Sequence, residues 1–166
     1  MTTIHLIEGP VGAGKSTHAL ALAARLGAPR LDLDEWFVTL FSPDRPDAGF
    51  VDWYLERKQR CLEQIWRVAE AVLEVDADVV LELGLVGRAD REAFYARVDA
   101  TDHELQVHVL DVPVEVRRER VRARNRAADG TFKMAVPDAM FDIADRAWQP
   151  PDDDECRERR IRIITG

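Results

Sequence analysis

Cysteine is almost missing from this chain. Its 166 residues include two, Cys61 and Cys156, each standing alone, which excludes a disulfide framework and a cysteine-based zinc site. Long apolar runs are missing too: no stretch supplies the roughly 20 apolar residues that a membrane-spanning helix needs. The N-terminus has no basic region followed by an apolar one, so a cytoplasmic location away from membranes is the expectation. Positive charge is in deficit. With 23 Lys and Arg against 31 Asp and Glu, the net charge is −8, which argues against a broad nucleic-acid-binding face but leaves room for a local basic site. Repeats and low-complexity linkers are absent. An apolar content of 46% with 33% charged residues suits a globular protein, and the length suits one domain over residues 1–166.

What the chain does contain is Gly9-Pro10-Val11-Gly12-Ala13-Gly14-Lys15-Ser16, which fits the phosphate-binding pattern G-x-x-x-x-G-K-[ST]. The context fits as well. Thr3-Ile4-His5-Leu6-Ile7 reads as a short buried strand, and the Ala- and Leu-rich residues 16–26 read as a helix. Glycines let successive N–H groups point at one centre, and the helix N-terminus adds partial positive charge. Gly9, Val11, Gly12, Ala13, Gly14, Lys15, Ser16 and Thr17 are therefore the expected nucleotide-binding residues. Lys15 would reach the β- and γ-phosphates and the Ser16 hydroxyl would hold Mg²⁺, so the expected cofactors are ATP and Mg²⁺.

Apolar segments at 3–7, 30–33, 79–83, 106–110 and 160–164 alternate with helical patterns, which predicts an α/β fold with a five-stranded, mostly parallel sheet. Helices are expected over 51–75, 90–98, 113–127 and 137–148, with Pro113 and Pro137 in first-turn positions. Residues 42–49 and 150–155 read as irregular. Ligands in such sheets bind beyond the carboxyl ends of the strands, where Asp34, Glu82, Gly84 and Asp111 fall.

Several side chains there could carry chemistry. Asp32 and Asp34, two residues apart, project to one face if both lie in an extended strand. One could hold Mg²⁺ and the other could orient or deprotonate a substrate hydroxyl; alternatively, Asp34 caps a short helix beginning at Glu35. Glu82 shares with Asp32 the candidacy for the main Mg²⁺ contact. Arg117, Arg120 and Arg124 fall on one helical face of a basic run, suited to phosphate oxygens or, more plainly, to a solvated surface. Trp36, Phe37, Phe41, Phe50, Trp53 and Tyr54 could wall an acceptor pocket or simply pack together. Arg88 and Arg91 could contact substrate but read more plainly as surface residues of a helix, His5 and His108 as core or sheet-edge residues, and His18 as facing outward.

Taken together, these segments resemble the small P-loop kinases, the group of shikimate and gluconate kinases, polynucleotide 5′-kinase, chloramphenicol phosphotransferase and zeta toxins. The likeness is specific at the phosphate loop, at Asp32-Leu33-Asp34, and at Asp111-Val112-Pro113 with the Arg120-to-Arg124 spacing. It implies the three-layer P-loop NTPase fold, similar to that of nucleoside monophosphate kinases, with an Arg-rich helical lid at about 113–136. It also implies that Asp32 assists Mg²⁺, that Asp34 contacts the reacting hydroxyl, and that Arg117, Arg120 and Arg124 serve the nucleotide, with Lys15, Asp34, Arg120 and Arg124 as the catalytic set. Trp148 to Glu155 is similar to an E-P-P-x-x-x-E segment of uncharacterised ATP-binding proteins. The chain departs from the kinases in having no Arg at Phe37 or Val38 and in carrying Gly84-Leu85-Val86-Gly87 in place of a glycine triplet.

The leading expectation is an ATP-dependent phosphotransferase acting on a hydroxyl of a small molecule, as a monomer or homodimer. A 5′-hydroxyl polynucleotide kinase, with a nucleic acid partner, is the second reading. A nucleotide-dependent switch without an acceptor is the third.

Overall fold

The computed structural model describes residues 1–127 and 135–166. The expected lid at 113–136 therefore lies partly outside the described residues. Strands β1 (Thr3–Glu8), β2 (Arg30–Asp32), β3 (Val79–Glu82), β4 (Glu104–Asp111) and β5 (Ile161–Thr165) form one sheet in the order β2-β3-β1-β4-β5. Every pairing is parallel, so the sheet is wholly rather than mostly parallel. Helices α1 (Lys15–Leu26), α2 (Leu33–Phe41), α3 (Phe50–Leu73), α4 (Arg88–Asp99), α5 (Val114–Ala127), α6 (Asp138–Ala147) and α7 (Asp153–Glu158) connect the strands. Among the described residues no helix is long and apolar enough to cross a membrane.

Alternation along the strands sorts the core into two layers. Ile4, Leu6, Val79, Leu81, Val107 and Val109 face α2, α3 and α4, while Ile7, Val80 and Leu110 face α1. Strands buried on both faces need apolar residues at successive positions, which is why β3 reads Val-Val-Leu. α1 starts at Gly14 and stops at Gly27, both left-handed.

Three elements differ from the sequence expectation. β2 ends at Asp32, and a nine-residue helix begins at Leu33. The cap of that helix is Asp32, whose Oδ1 accepts from the N–H groups of Asp34 (2.9 Å) and Glu35 (3.2 Å). The two Asp side chains thus do not share a strand face, because Asp34 already belongs to the first turn of α2. Within residues 150–155, expected to be irregular, Asp152 accepts from Glu155 N–H at 2.9 Å and starts α7.

Arg91 and His18 also depart from their expected outward positions. Arg91 is fully buried, its guanidinium donating to both Glu155 oxygens at 2.7 and 2.8 Å, while Tyr95 Oη donates to the same carboxylate at 2.8 Å. His18 turns inward on the α1 side of the sheet, its ring 5.4 Å from that of His108, which in turn bonds His5 at 3.1 Å. Burial, aided by His5 and His18, lowers His108 to about 4. The unfolded chain therefore takes up a proton near 6.5 that the folded chain refuses until about 4. Stability from this residue is complete above the first value and is lost as pH falls toward the second, by about 3 kcal/mol in all. His108→Gln should remove that component. The check is the wild-type-minus-variant difference in urea unfolding free energy at neutral pH and at pH about 4.

Candidate active site

The strand order puts the loop after β1 between the ends of β3 and β4, the place where a parallel sheet of this winding binds ligands. In that loop Gly9, Gly12 and Gly14 have φ of 149°, 78° and 92°, values that side chains disfavour. Gly12 has a second constraint. A Cβ there would lie 2.7 Å from the Arg117 carbonyl oxygen and 2.9 Å from Val121 Cγ2, so the loop packs directly on α5. Lys15 Nζ donates to the carbonyls of Gly9 (2.8 Å) and Pro10 (3.0 Å), which folds it over the loop. Left-handed glycines, a helix N-terminus and this Lys together fit a triphosphate.

The Ser16 hydroxyl donates to Glu82 Oε2 at 3.0 Å. Glu82 Oε1 accepts from Arg30 Nε at 2.6 Å, and the same guanidinium pairs with Asp32 and reaches Glu35 at 3.2 Å. Asp32 and Glu82 face each other across β2 and β3 and are both buried. Arg30 allows two carboxylates to sit side by side there. Of the two candidates for a Mg²⁺ contact, Glu82 is the one joined to the loop hydroxyl. Asp32 is committed to the α2 cap and to Arg30. The hydroxyl–carboxylate pair offers hard oxygen ligands of the kind Mg²⁺ takes.

Asp34 is exposed, and its carboxylate makes no hydrogen bond or ion pair among the described residues. In the aromatic group of α2 and α3, Phe37 meets Trp53 edge-on at 5.7 Å and Tyr54 at 4.9 Å. Phe37 is core, so the packing role accounts for it. Burial, with the Asp34 charge added, raises the Tyr54 hydroxyl above its usual range, which places that ring within electrostatic reach of Asp34.

The arginines of α5 divide sharply. Arg118 and Arg122 pair with Asp142 and Asp138 of α6, and Arg126 with Glu119. Arg117, expected at the nucleotide, is buried and spent on protein groups. It donates to the carbonyls of Val112 (2.9 Å) and Val11 (3.1 Å) and to Asp145 (2.6 Å). Its task is to hold the phosphate loop against α5. Arg120 is exposed, makes no ion pair among the described residues, and has a guanidinium nitrogen 4.0 Å from where a Gly14 Cβ would stand. Arg124 keeps a buried Nε without a partner among those residues.

Sequence reasoning missed Arg30 and Glu8. Glu8 closes β1 immediately before the loop, is fully buried and leaves Oε1 without a hydrogen-bond partner among the described residues. Burial pushes it up to about 8, with Lys15 and Arg91 pulling the other way without prevailing. A carboxylate at the end of an otherwise apolar strand was the signal available.

The site and sheet define a P-loop protein with a kinase-like fold. The chain belongs to a family of AAA domains, whose model AAA_33 matches residues 4–151. A search of curated proteins finds no match. Among solved structures it is similar to a sugar kinase from Janibacter sp. HTCC2649, with 15% identity, a TM-score of 0.65, and 99% of this chain and 86% of that one covered. It is also similar to the APS kinase of Mycobacterium tuberculosis in complex with AMPPNP and APS, with 18% identity, a TM-score of 0.62, and coverage of 99% and 88%. A gluconokinase from Sinorhizobium meliloti 1021 gives 18% identity, a TM-score of 0.58, and coverage of 99% and 82%. At these identities the likeness establishes the fold, as the resemblance to small P-loop kinases implied.

Proposed function

We propose that this protein is an ATP-dependent phosphotransferase that moves the γ-phosphoryl group of ATP to a hydroxyl of a small-molecule acceptor. The observation that carries the reading is the placement of uncommitted charge. Asp34 follows β2 on one side of the loop, and Arg120 and Arg124 follow β4 on the other. All three are without ion pairs among the described residues, while most of their neighbours are paired.

In this account Lys15 and the loop N–H groups hold the phosphates, and Ser16 and Glu82 hold Mg²⁺. The bound metal supplies charge neutralisation at the phosphate oxygens. Asp34 orients the acceptor hydroxyl and receives its proton as the oxygen bonds to the γ-phosphorus and the bond to the β-bridging oxygen breaks, leaving ADP. Arg120 and Arg124 offset charge on the group in transit. Because proton transfer is late in a loose transition state, positioning by Asp34 matters at least as much as its basicity. Kinases of polar acceptors among the fold neighbours support the reaction class. A polynucleotide acceptor gains no support from α5, whose remaining arginines are neutralised within the protein.

Asp34→Asn tests the assignment. Transfer of γ-label to an acceptor should fall about 10²-fold or more while ATP affinity stays near that of the wild type. Equal transfer by the variant would remove Asp34 from the mechanism.

A further inference from the structure

Glu8 stands one residue before the phosphate loop, and the transfer chemistry makes no use of it. Residues at even spacing share a strand face, so Glu8 points with Ile4 and Leu6 toward the side of the sheet that carries α3 and α4. Glu82, the partner of Ser16, shares the opposite face with Val80. Glu8 is therefore separate from the pair assigned to Mg²⁺.

Groups from every neighbouring element act on Glu8. Lys15 comes from the start of α1, Arg91 and Tyr95 from α4, Glu155 from α7, and the Leu85 N–H from the chain after β3. Most of them are committed to one another. Arg91 donates to both Glu155 oxygens at 2.7 and 2.8 Å, and Tyr95 Oη donates to the same carboxylate at 2.8 Å. The Arg91 charge is thus offset at contact distance. Lys15 is different, because its printed bonds go to the neutral carbonyls of Gly9 and Pro10. Of the influences that favour a Glu8 carboxylate, its charge is the strongest.

A triphosphate draws on that same charge. Phosphate oxygens bring negative charge to Lys15. An ionised Glu8 in a poorly screened interior would compete for the ammonium group and repel the ligand. A neutral Glu8 does neither. Burial pushes the carboxyl up to about 8, so at neutral pH the acid is protonated and the loop is open to an anion.

We propose that Glu8 is a positioning residue of the phosphate loop that acts through Lys15, holding a proton whenever Lys15 is given over to the triphosphate and ionising only in its absence. The inference rests on the loop's holding a triphosphate, not on the identity of the acceptor. The proton comes from solvent and rests on the Glu8 carboxyl, and no bond of the nucleotide changes. A Gln in this place would be neutral at every pH; the acid makes anion binding sensitive to alkali.

Linkage fixes the sign. The triphosphate binds the protonated form better and so raises Glu8 further. Affinity is full below about 8 and falls as pH rises beyond it. The other groups facing Glu8 do not titrate in this window through their own shifts: Arg91 and Tyr95 are raised and Glu155 is lowered. The phosphates have lost their protons by about pH 7.

Isothermal titration with Mg-ATP, without acceptor, tests this. At pH about 8.5, in two buffers of unequal ionisation enthalpy, the wild type should take up about half a proton or more per nucleotide bound, and Glu8→Gln none. Wild-type affinity should fall about fivefold or more between pH about 7.5 and about 9, and that of the variant less than about twofold. A merely structural Glu8 would shift the variant's affinity equally at every pH and leave the uptake unchanged. Uptake is read on the wild type, so it stands whether or not the variant folds. Nucleotide binding without proton uptake, or equal uptake by Glu8→Gln, overturns the proposal. The two readings fail separately. Proton-linked binding with no label transfer to any acceptor sinks the phosphotransferase and keeps the role of Glu8, whereas label transfer with nucleotide affinity constant across the pH range does the reverse.

Discussion

Replacing Glu82 by Gln is expected to lower acceptor-dependent phosphoryl transfer by about two to three powers of ten, together with a loss of Mg²⁺ affinity. The side chain is nearly isosteric, so packing at the end of β3 is kept while the charge is removed. Glu82 has one oxygen on the Ser16 hydroxyl and the other on Arg30, so it is the carboxylate already held in place beside the loop. Asp32→Asn is the informative contrast. Its carboxylate caps α2 and pairs with Arg30, so the change should act first on stability, by about 0.5–2 kcal/mol, with a smaller effect on transfer. Metal titrations of both variants, followed by urea unfolding, separate the roles. A larger metal defect in Asp32→Asn than in Glu82→Gln would hand the Mg²⁺ contact to Asp32.

Glu8→Gln is expected to stabilise the protein at neutral and mildly alkaline pH. The folded chain keeps the Glu8 proton until about 8, whereas the unfolded chain releases it near 4.5. Stability from this residue is therefore complete below the lower value and is lost as pH rises through the upper one. The slope is about 1.4 kcal/mol per pH unit, which reaches roughly 4 kcal/mol by pH 8. His108 runs in the opposite direction from 6.5 down to about 4, so the two slopes oppose each other where their windows overlap. Subtracting wild-type from variant stability at each pH isolates the Glu8 component, and parallel profiles for the two proteins would contradict it. An acid so costly at the base of a phosphate loop is the kind of local conflict that sites retain and cores discard.

The phosphate loop could be read from sequence because its demands are local. Left-handed glycines, a buried strand before them and a helix after them all lie within residues 3–26. β1, β3 and the second half of β4 were readable for the same reason, since each is a short, mainly apolar run. α2 was not. Leu31-Asp32-Leu33-Asp34 alternates as a strand does, and only the capping of two N–H groups by Asp32 turns the chain into a helix at Leu33. The start of α7 carries a signal, an Asp followed three residues later by Glu, inside a stretch whose two prolines and run of acids read as irregular. Arg30 and Arg91 could not be placed because their partners, Glu82 and Glu155, are brought to them by strand register and by the packing of α4 against α7. Nothing in the Arg117–Arg126 run itself says which guanidiniums are consumed. That is decided by the acids of α6 and by the carbonyls of Val11 and Val112.

Transfer of label from γ-labelled Mg-ATP to a panel of hydroxyl compounds, spanning hydroxyalkanoates, aromatic alcohols, sugars, nucleosides and a 5′-hydroxyl oligonucleotide, tests the central claim most directly. The account predicts label on at least one small alcohol, with ADP formed in equal amount. Tight ATP binding with slow hydrolysis that no acceptor accelerates would contradict it and would mark the protein as a nucleotide-dependent switch.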